Sequence, residues 1–162
     1  SIGNFVPDAA VVFLQAIAEL VGPGGYLLIG VDLKKDKAIL EAAYDDSAGI
    51  TASFNLNLLS RINHELNANF DLTKWRHKAL YNEQVGRIEM HLVSQQDQTV
   101  EINEDSFSFV EGETIHTENS YKYTSDEFIR LASKAGFQSD ELWIDGNRLF
   151  SVHLFRVNDL QR

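Results

Sequence analysis

The stretch YLLIGVDL, residues 26–33, limits the fold more than any other part of the chain. It is apolar at both odd and even positions, so a strand built from it should be buried on both faces, as strands of a parallel sheet are. Just before it, Pro7 and Asp8 suit the first turn of a helix. Val11, Phe13, Leu14, Ile17, Leu20 and Val21 then recur at helical spacing as a broad apolar stripe. Gly22-Pro23-Gly24-Gly25 stops that helix. A helix leading into a doubly buried strand is the pattern of an open α/β sheet, and Asp32 stands at the strand's carboxyl end, where such sheets bind ligands. One parallel strand needs neighbours. The expectation is that they precede residue 1, so that the chain reads as the later part of a doubly wound fold.

After Asp36 the pattern predicts a short helix, a break at Gly49, and an amphipathic helix with Phe54, Leu58, Leu59, Ile62 and Leu66 on one side. Beyond residue 74 the period shortens to two. Ile88, Met90 and Leu92 point one way and Glu89 and His91 the other, with a turn at Asn82 to Gly86, which predicts an antiparallel hairpin. A polar strand through HTENSYKYT, residues 116–124, extends it. TSDEFIRLASKAGF opens with capping chemistry and stops at Gly136, and two strands around Asp145-Gly146-Asn147 close the chain as an antiparallel pair.

The formal net charge is −10, which leaves no basic stripe to release counterions from phosphates, so no nucleic-acid partner is expected. No apolar run is long enough to span a bilayer, so no membrane partner is expected, and the expected location is the cytoplasm. There is no cysteine, hence neither a disulfide framework nor thiolate chemistry.

Candidate chemistry is sparse when each motif is weighed against its plainest explanation. His64, His77, His91, His116 and His153 form no HxxxH or HxH pair, so no metal is expected. GPGG follows a helix and lacks the GxGxxG pattern, so it is a helix stop and not a phosphate cradle. No GxSxG elbow supports a hydrolase triad. The AYDD run at 43–46 reads on composition alone as a helix end. Glu118 and Ser120 stand on alternate residues of a strand, hence side by side on one face, and exposed strand residues of this kind are common.

Six ordered segments change the reading: IGNF, LLIGVDLKKD, AAYDDSAGITASFNLNLL, RINHELNANFDL, RIEMHLVS and GETIHTENSYKYT. Together they resemble the histidine-specific, S-adenosylmethionine-dependent N-alpha-methyltransferase family, which makes trimethylhistidine on the way to ergothioneine. The likeness runs in order from Ile2 to about Phe155. It implies the C-terminal part of a class I, Rossmann-like methyltransferase fold, strand order 3-2-1-4-5-7-6, carrying a β-rich insertion that builds the amino-acid pocket. The corresponding division is 1–70 for the second half of the Rossmann-like domain, 71–123 for the insertion, and 124–157 for the helix and strand pair that complete the sheet.

The resemblance also implies roles for five positions. Asn4 matches the Asn of the family's GSxxGN loop and Tyr44 the Tyr of its AYDD motif, which hold the substrate carboxylate. Thr51 matches the GxT step near the substrate amine. Glu118 and Ser120 match the Glu and Ser of the TExS stretch, which hydrogen-bond the imidazole. L-histidine is then the substrate and S-adenosylmethionine the methyl donor. The family's glycine-rich cofactor loop and acidic ribose-binding residue have no counterpart here, so most cofactor-binding positions are expected upstream of Ser1. No residue is assigned as a catalytic acid or base. The alternative is a non-catalytic amino-acid-binding or interaction module. A sheet edge left open at Tyr26–Leu33 would favour self-association.

Overall fold

The computed structural model describes residues 2–158. In chain order a 3-10 turn at Ile2–Asn4 precedes α1 (Pro7–Val21), β1 (Tyr26–Asp32), α2 (Lys37–Tyr44) and α3 (Ile50–Glu65). After a second 3-10 turn at Leu72–Lys74 come β2 (Trp75–Asn82), β3 (Arg87–Ser94), β4 (Gln98–Ile102), β5 (Asp105–Phe109) and β6 (Thr114–Tyr121). The chain closes on α4 (Ser125–Lys134), β7 (Phe137–Ile144) and β8 (Phe150–Val157). Two compact units result, and they interleave along the chain. One holds the described residues up to Asp36, Glu83–Arg87 and those from Asn119 on; the other holds Lys37–Asn82 and Ile88–Glu118.

The first unit is built on a three-stranded sheet ordered β1-β8-β7, with β8 antiparallel to both neighbours. That is the 5-7-6 end of the strand series implied by the resemblance, within a mixed α/β architecture. Leu14, Val31, Phe128, Phe137 and Phe155 fill its core with Ala10, Ala18 and Ala132. Each large side chain buried there contributes roughly 1.5–3 kcal/mol. α4 begins with a capping box: Glu127 N–H donates to Thr124 Oγ1 at 3.2 Å and Thr124 N–H to Glu127 Oε2 at 2.8 Å.

Two expectations are corrected in this unit. Among the described residues β1 pairs along its length with β8 alone, antiparallel, its other edge meeting only a parallel bridge of Leu33 to Tyr123 at the strand end, and Tyr26 is 53% and Leu28 63% exposed, so it is not buried on both faces. Burial on both faces requires layers on each side of a strand, and alternate β1 residues have none among the described residues. In α1 the buried residues are Ala10, Leu14 and Ala18, spaced by four, while Phe13, Leu20 and Val21 of the expected stripe are exposed.

The second unit places α2 and α3 beside the strands of a sheet ordered β2-β3-β6, with β4-β5 as a separate two-stranded ribbon. Leu59, Phe70, Trp75, Leu92 and Val100 form its core, and Trp75 meets Phe109 edge-on at 5.0 Å. The β2–β3 turn, which belongs to the first unit, holds Gly86 at φ 68°, a conformation that favours glycine and fits the expected hairpin turn. In α3 the buried positions are Asn55 and Leu59; Phe54, Leu58 and Leu66 of the expected apolar side are exposed.

Candidate functional site

Ser120 lies near the end of β6, buried at 7% exposure, and its surroundings in the first unit are charged. Lys122, only 2% exposed, donates from Nζ to Ser120 Oγ at 2.8 Å and pairs with Asp32 Oδ2 at 2.8 Å. Asp32 also pairs with Lys35, whose Nζ reaches the Leu149 carbonyl at 2.9 Å. Burial alone would push the Asp32 carboxyl up, but the two ammonium groups outweigh it and hold it below the usual carboxylate range. The strand-end position of Asp32 thus serves to anchor a buried lysine.

Asn4 is exposed at the end of the first 3-10 turn, next to buried Gly3. A Cβ on Gly3 would stand 3.0 Å from the Tyr121 carbonyl and 3.4 Å from Ser120 Oγ. The absence of a side chain there lets the turn lie directly against the end of β6. Of the five assigned positions, these two are the ones that the first unit brings near each other.

In the second unit Tyr44 ends α2 and Thr51 starts α3, with Asp46 between them. The Asp46 carboxylate accepts from the Thr51 N–H at 2.8 Å and the Ile50 N–H at 3.1 Å, taking up two orphan donors of the helix start. Those bonds, Thr51's foremost, draw the Asp46 pKa down to about 2. His77 Nε2 lies 2.8 Å from the Tyr44 carbonyl, which accepts only, so that nitrogen carries the proton. Its Nδ1 then accepts from Asn55 Nδ2 at 2.9 Å, and buried Asn55 also donates to the His91 carbonyl at 3.2 Å. This network fixes the end of α2 to β2 and α3.

Glu118 is half-buried and lines a cleft of about 190 Å³ with Phe54, Asn55, Leu58, Arg61 and Met90. Phe54 and Leu58 of α3, which miss the core, therefore face a space that also holds a carboxylate. Thr117 Oγ1 braces the adjacent strand by donating to the Met90 carbonyl at 3.0 Å.

Chain spacing indicates no metal pair, yet β3 and β6 bring Glu89, His91 and His116 together, with one ligand atom from each within 4.8 Å of the others. His91 Nε2 lies 3.2 Å from Glu89 Oε2, and the His91 and His116 rings stack at 4.5 Å and 25°. Near-parallel rings aim their in-plane lone pairs alongside one another and not at a common point. Burial lowers the His91 pKa, the hydrogen bond to Glu89 opposing it. A divalent cation would have to break the stack and the hydrogen bond to enter.

The only glycine-rich stretch does not fit a nucleoside cofactor. Gly24 N–H donates to the Val157 carbonyl at 3.1 Å and Gly25 N–H to Gly22 at 2.9 Å, so its backbone donors are engaged in the turn and the sheet. No cofactor contact is assigned among the described residues.

The histidine-specific, S-adenosylmethionine-dependent methyltransferase family matches residues 1–157. The chain belongs to this family. It is 39% identical over 156 residues to a histidine N-alpha-methyltransferase of Mycolicibacterium smegmatis, covering 95% of this chain and 49% of that protein. It is 35% identical over 163 residues to ergothioneine biosynthesis protein 1 of Neurospora crassa, covering 95% of this chain and 17% of that protein. Thus the chain spans about half the length, or less, of these curated relatives. Among solved structures, an S-adenosylmethionine-dependent methyltransferase from Clostridium acetobutylicum aligns with 98% of this chain and 55% of its own, with a TM-score of 0.49 at 8% identity.

Within this chain, sequence reading passed over Lys122 and Asn55. Lys122 carried one signal: it stands two residues after Ser120, just past the end of β6. Asn55 sits four residues before Leu59, on the helix face that turns inward. Among the described residues no helix is long and apolar enough to cross a membrane.

Proposed function

We propose that the whole protein carrying this chain transfers methyl groups from S-adenosylmethionine to the α-amino group of L-histidine, giving trimethylhistidine, and that the chain supplies the amino-acid-reading part. Membership of the histidine-specific family supports the reaction class. The observation that carries the substrate reading is a serine whose hydroxyl is held by a buried ammonium, two residues after a carboxylate on one strand. Glu118 accepts the imidazole N–H and Ser120 meets the other ring nitrogen. Asn4 and Tyr44 hold the carboxylate, and Thr51 lies by the amine.

S-adenosylmethionine supplies an activated methyl. The protein's own residues orient the amine for in-line attack, and orientation of this kind yields up to roughly 7–11 kcal/mol. The amine attacks in its neutral form, with water as the proton acceptor. In this reading residues 1–70 continue the Rossmann-like domain, 71–123 form the substrate-binding insertion and 124–157 complete the sheet. The enzyme works in the cytoplasm without a nucleic-acid or membrane partner and without a metal.

Mass spectrometry of histidine incubated with the whole protein and S-adenosylmethionine tests the reaction. Trimethylhistidine is the expected product, and unmodified histidine overturns the proposal. A second reading, a non-catalytic amino-acid-binding module, is favoured by the engaged donors of the glycine turn. Histidine binding by a whole protein that methylates nothing would establish it.

A further inference from the structure

Asn55 is only 3% exposed on α3, in a unit whose core of Leu59, Phe70, Trp75, Leu92 and Val100 is apolar. Asparagine is a poorer helix former than leucine, and a buried amide is costly unless its hydrogen bonds are met. Stability alone would favour an apolar residue here, so the partners of Asn55 carry the explanation.

The His91 carbonyl only accepts, so the Asn55 atom 3.2 Å from it is the amide nitrogen. The same nitrogen lies 2.9 Å from His77 Nδ1 and donates to it, which requires that Nδ1 be bare. Across the ring, the Tyr44 carbonyl 2.8 Å from Nε2 also only accepts and requires a proton there. Two separate neighbours thus demand the same neutral tautomer, and they fix the ring in one orientation. Tyr44 closes α2, where the last carbonyls have no partner within the helix, and His77 of β2 supplies a donor to this one. Thr51 stands about one turn before Asn55 on α3. One imidazole therefore ties the end of α2 to the opening turns of α3, wholly within the second unit.

We propose that His77, oriented by Asn55, is a positioning residue that sets Tyr44 against Thr51, and so fixes the spacing at which the substrate's carboxylate and amine are received. The inference rests on the reading of Tyr44 and Thr51 proposed above and adds what holds them in register. It acts on the Tyr44 main chain, whatever the Tyr44 hydroxyl also meets. A helix end ordered before the substrate arrives loses less freedom on binding, which strengthens binding without a new contact. Histidine suits the place because it brings a donor and an acceptor on opposite sides of one rigid ring. A lysine would reach the carbonyl but offer Asn55 nothing to donate to.

The test uses the whole protein and reads its affinity for L-histidine and for S-adenosylmethionine by calorimetry, with the thermal midpoint as a check on folding. The variants are His77→Phe, His77→Gln, Asn55→Leu, Tyr44→Phe and the double variant His77→Phe/Tyr44→Phe. His77→Phe, which keeps a ring and loses both bonds, and Asn55→Leu, which leaves the ring unheld, should each weaken histidine binding roughly tenfold. S-adenosylmethionine affinity should stay near wild type. His77→Gln, whose amide offers both a donor and an acceptor, should recover most of the loss. The double variant should bind histidine no more than about twofold more weakly than Tyr44→Phe, because residues acting as one unit are not additive. Should His77→Phe fail to fold, the same cycle is read with Asn55→Leu on the Tyr44→Phe background. Wild-type histidine affinity in the His77 and Asn55 variants, or losses that multiply in the double variant as a merely structural role gives, overturns the proposal while the Tyr44 reading stands. Wild-type histidine affinity in Tyr44→Phe overturns both.

Discussion

Glu118 carries the sharpest prediction at the scale of single residues. If its carboxylate accepts the ring N–H, Glu118→Ala removes a charge-assisted hydrogen bond worth about 1.5–3 kcal/mol, on the order of 10- to 100-fold in histidine binding. Affinity for S-adenosylmethionine should stay near wild type. Calorimetric titration of both ligands into the whole protein checks this, and unchanged histidine affinity would remove Glu118 from the imidazole site. What was legible was a short motif, TENS at 117–120, for which the resemblance implies roles. The buried partner of Ser120 was not, because lysine is ordinarily a surface residue and only the fold brings Asp32 to Lys122.

At the scale of elements, the start of α3 depends on a carboxylate. Asp46 has a folded pKa depressed to about 2, below the roughly 3.9 of a free aspartate. Its contribution to stability is therefore fully present above the unfolded value and is lost as pH falls through the folded one. Thermal unfolding of wild type and Asp46→Ala should differ at pH 6 and converge between about pH 4 and pH 2. A constant difference down to pH 2 would show that the cap is not electrostatic.

The two faces of α3 give a second test. Leu59 is fully buried and Phe54 is 67% exposed. Leu59→Ala should cost about 2–5 kcal/mol and Phe54→Ser about 0.5 kcal/mol or less, measured by denaturant unfolding. Equal costs would contradict the assigned face. Helix ends and turns were readable because their chemistry is local: Thr124 with Glu127, Gly49, and Gly86 in the hairpin. Which side of α3 is buried was not, since Asn55 turns inward to meet His77 from a strand twenty-two residues away.

For the whole molecule, the apolar surface of the first unit is the dominant feature. Leu28 on β1 is 63% exposed, and Val12 and Leu20 on α1 are 64% and 85% exposed. Exposed apolar strands and contiguous apolar patches favour association. The 162-residue chain should therefore self-associate. Light scattering checks this; a monodisperse monomer would contradict it. The mixed α/β class was legible through the resemblance, and of the implied strand order the described residues show only the β1-β8-β7 sheet, whereas the exposure of β1 follows from how many layers pack on it, which the apolar run does not specify.

The proposal that the whole protein methylates histidine has one most direct test. The most direct measurement offers the whole protein an equimolar mixture of the common amino acids with S-adenosylmethionine and identifies the methylated products by mass spectrometry. Trimethylhistidine should dominate, with phenylalanine and tryptophan left unmodified. Preferential methylation of another amino acid, or of none, would contradict the account.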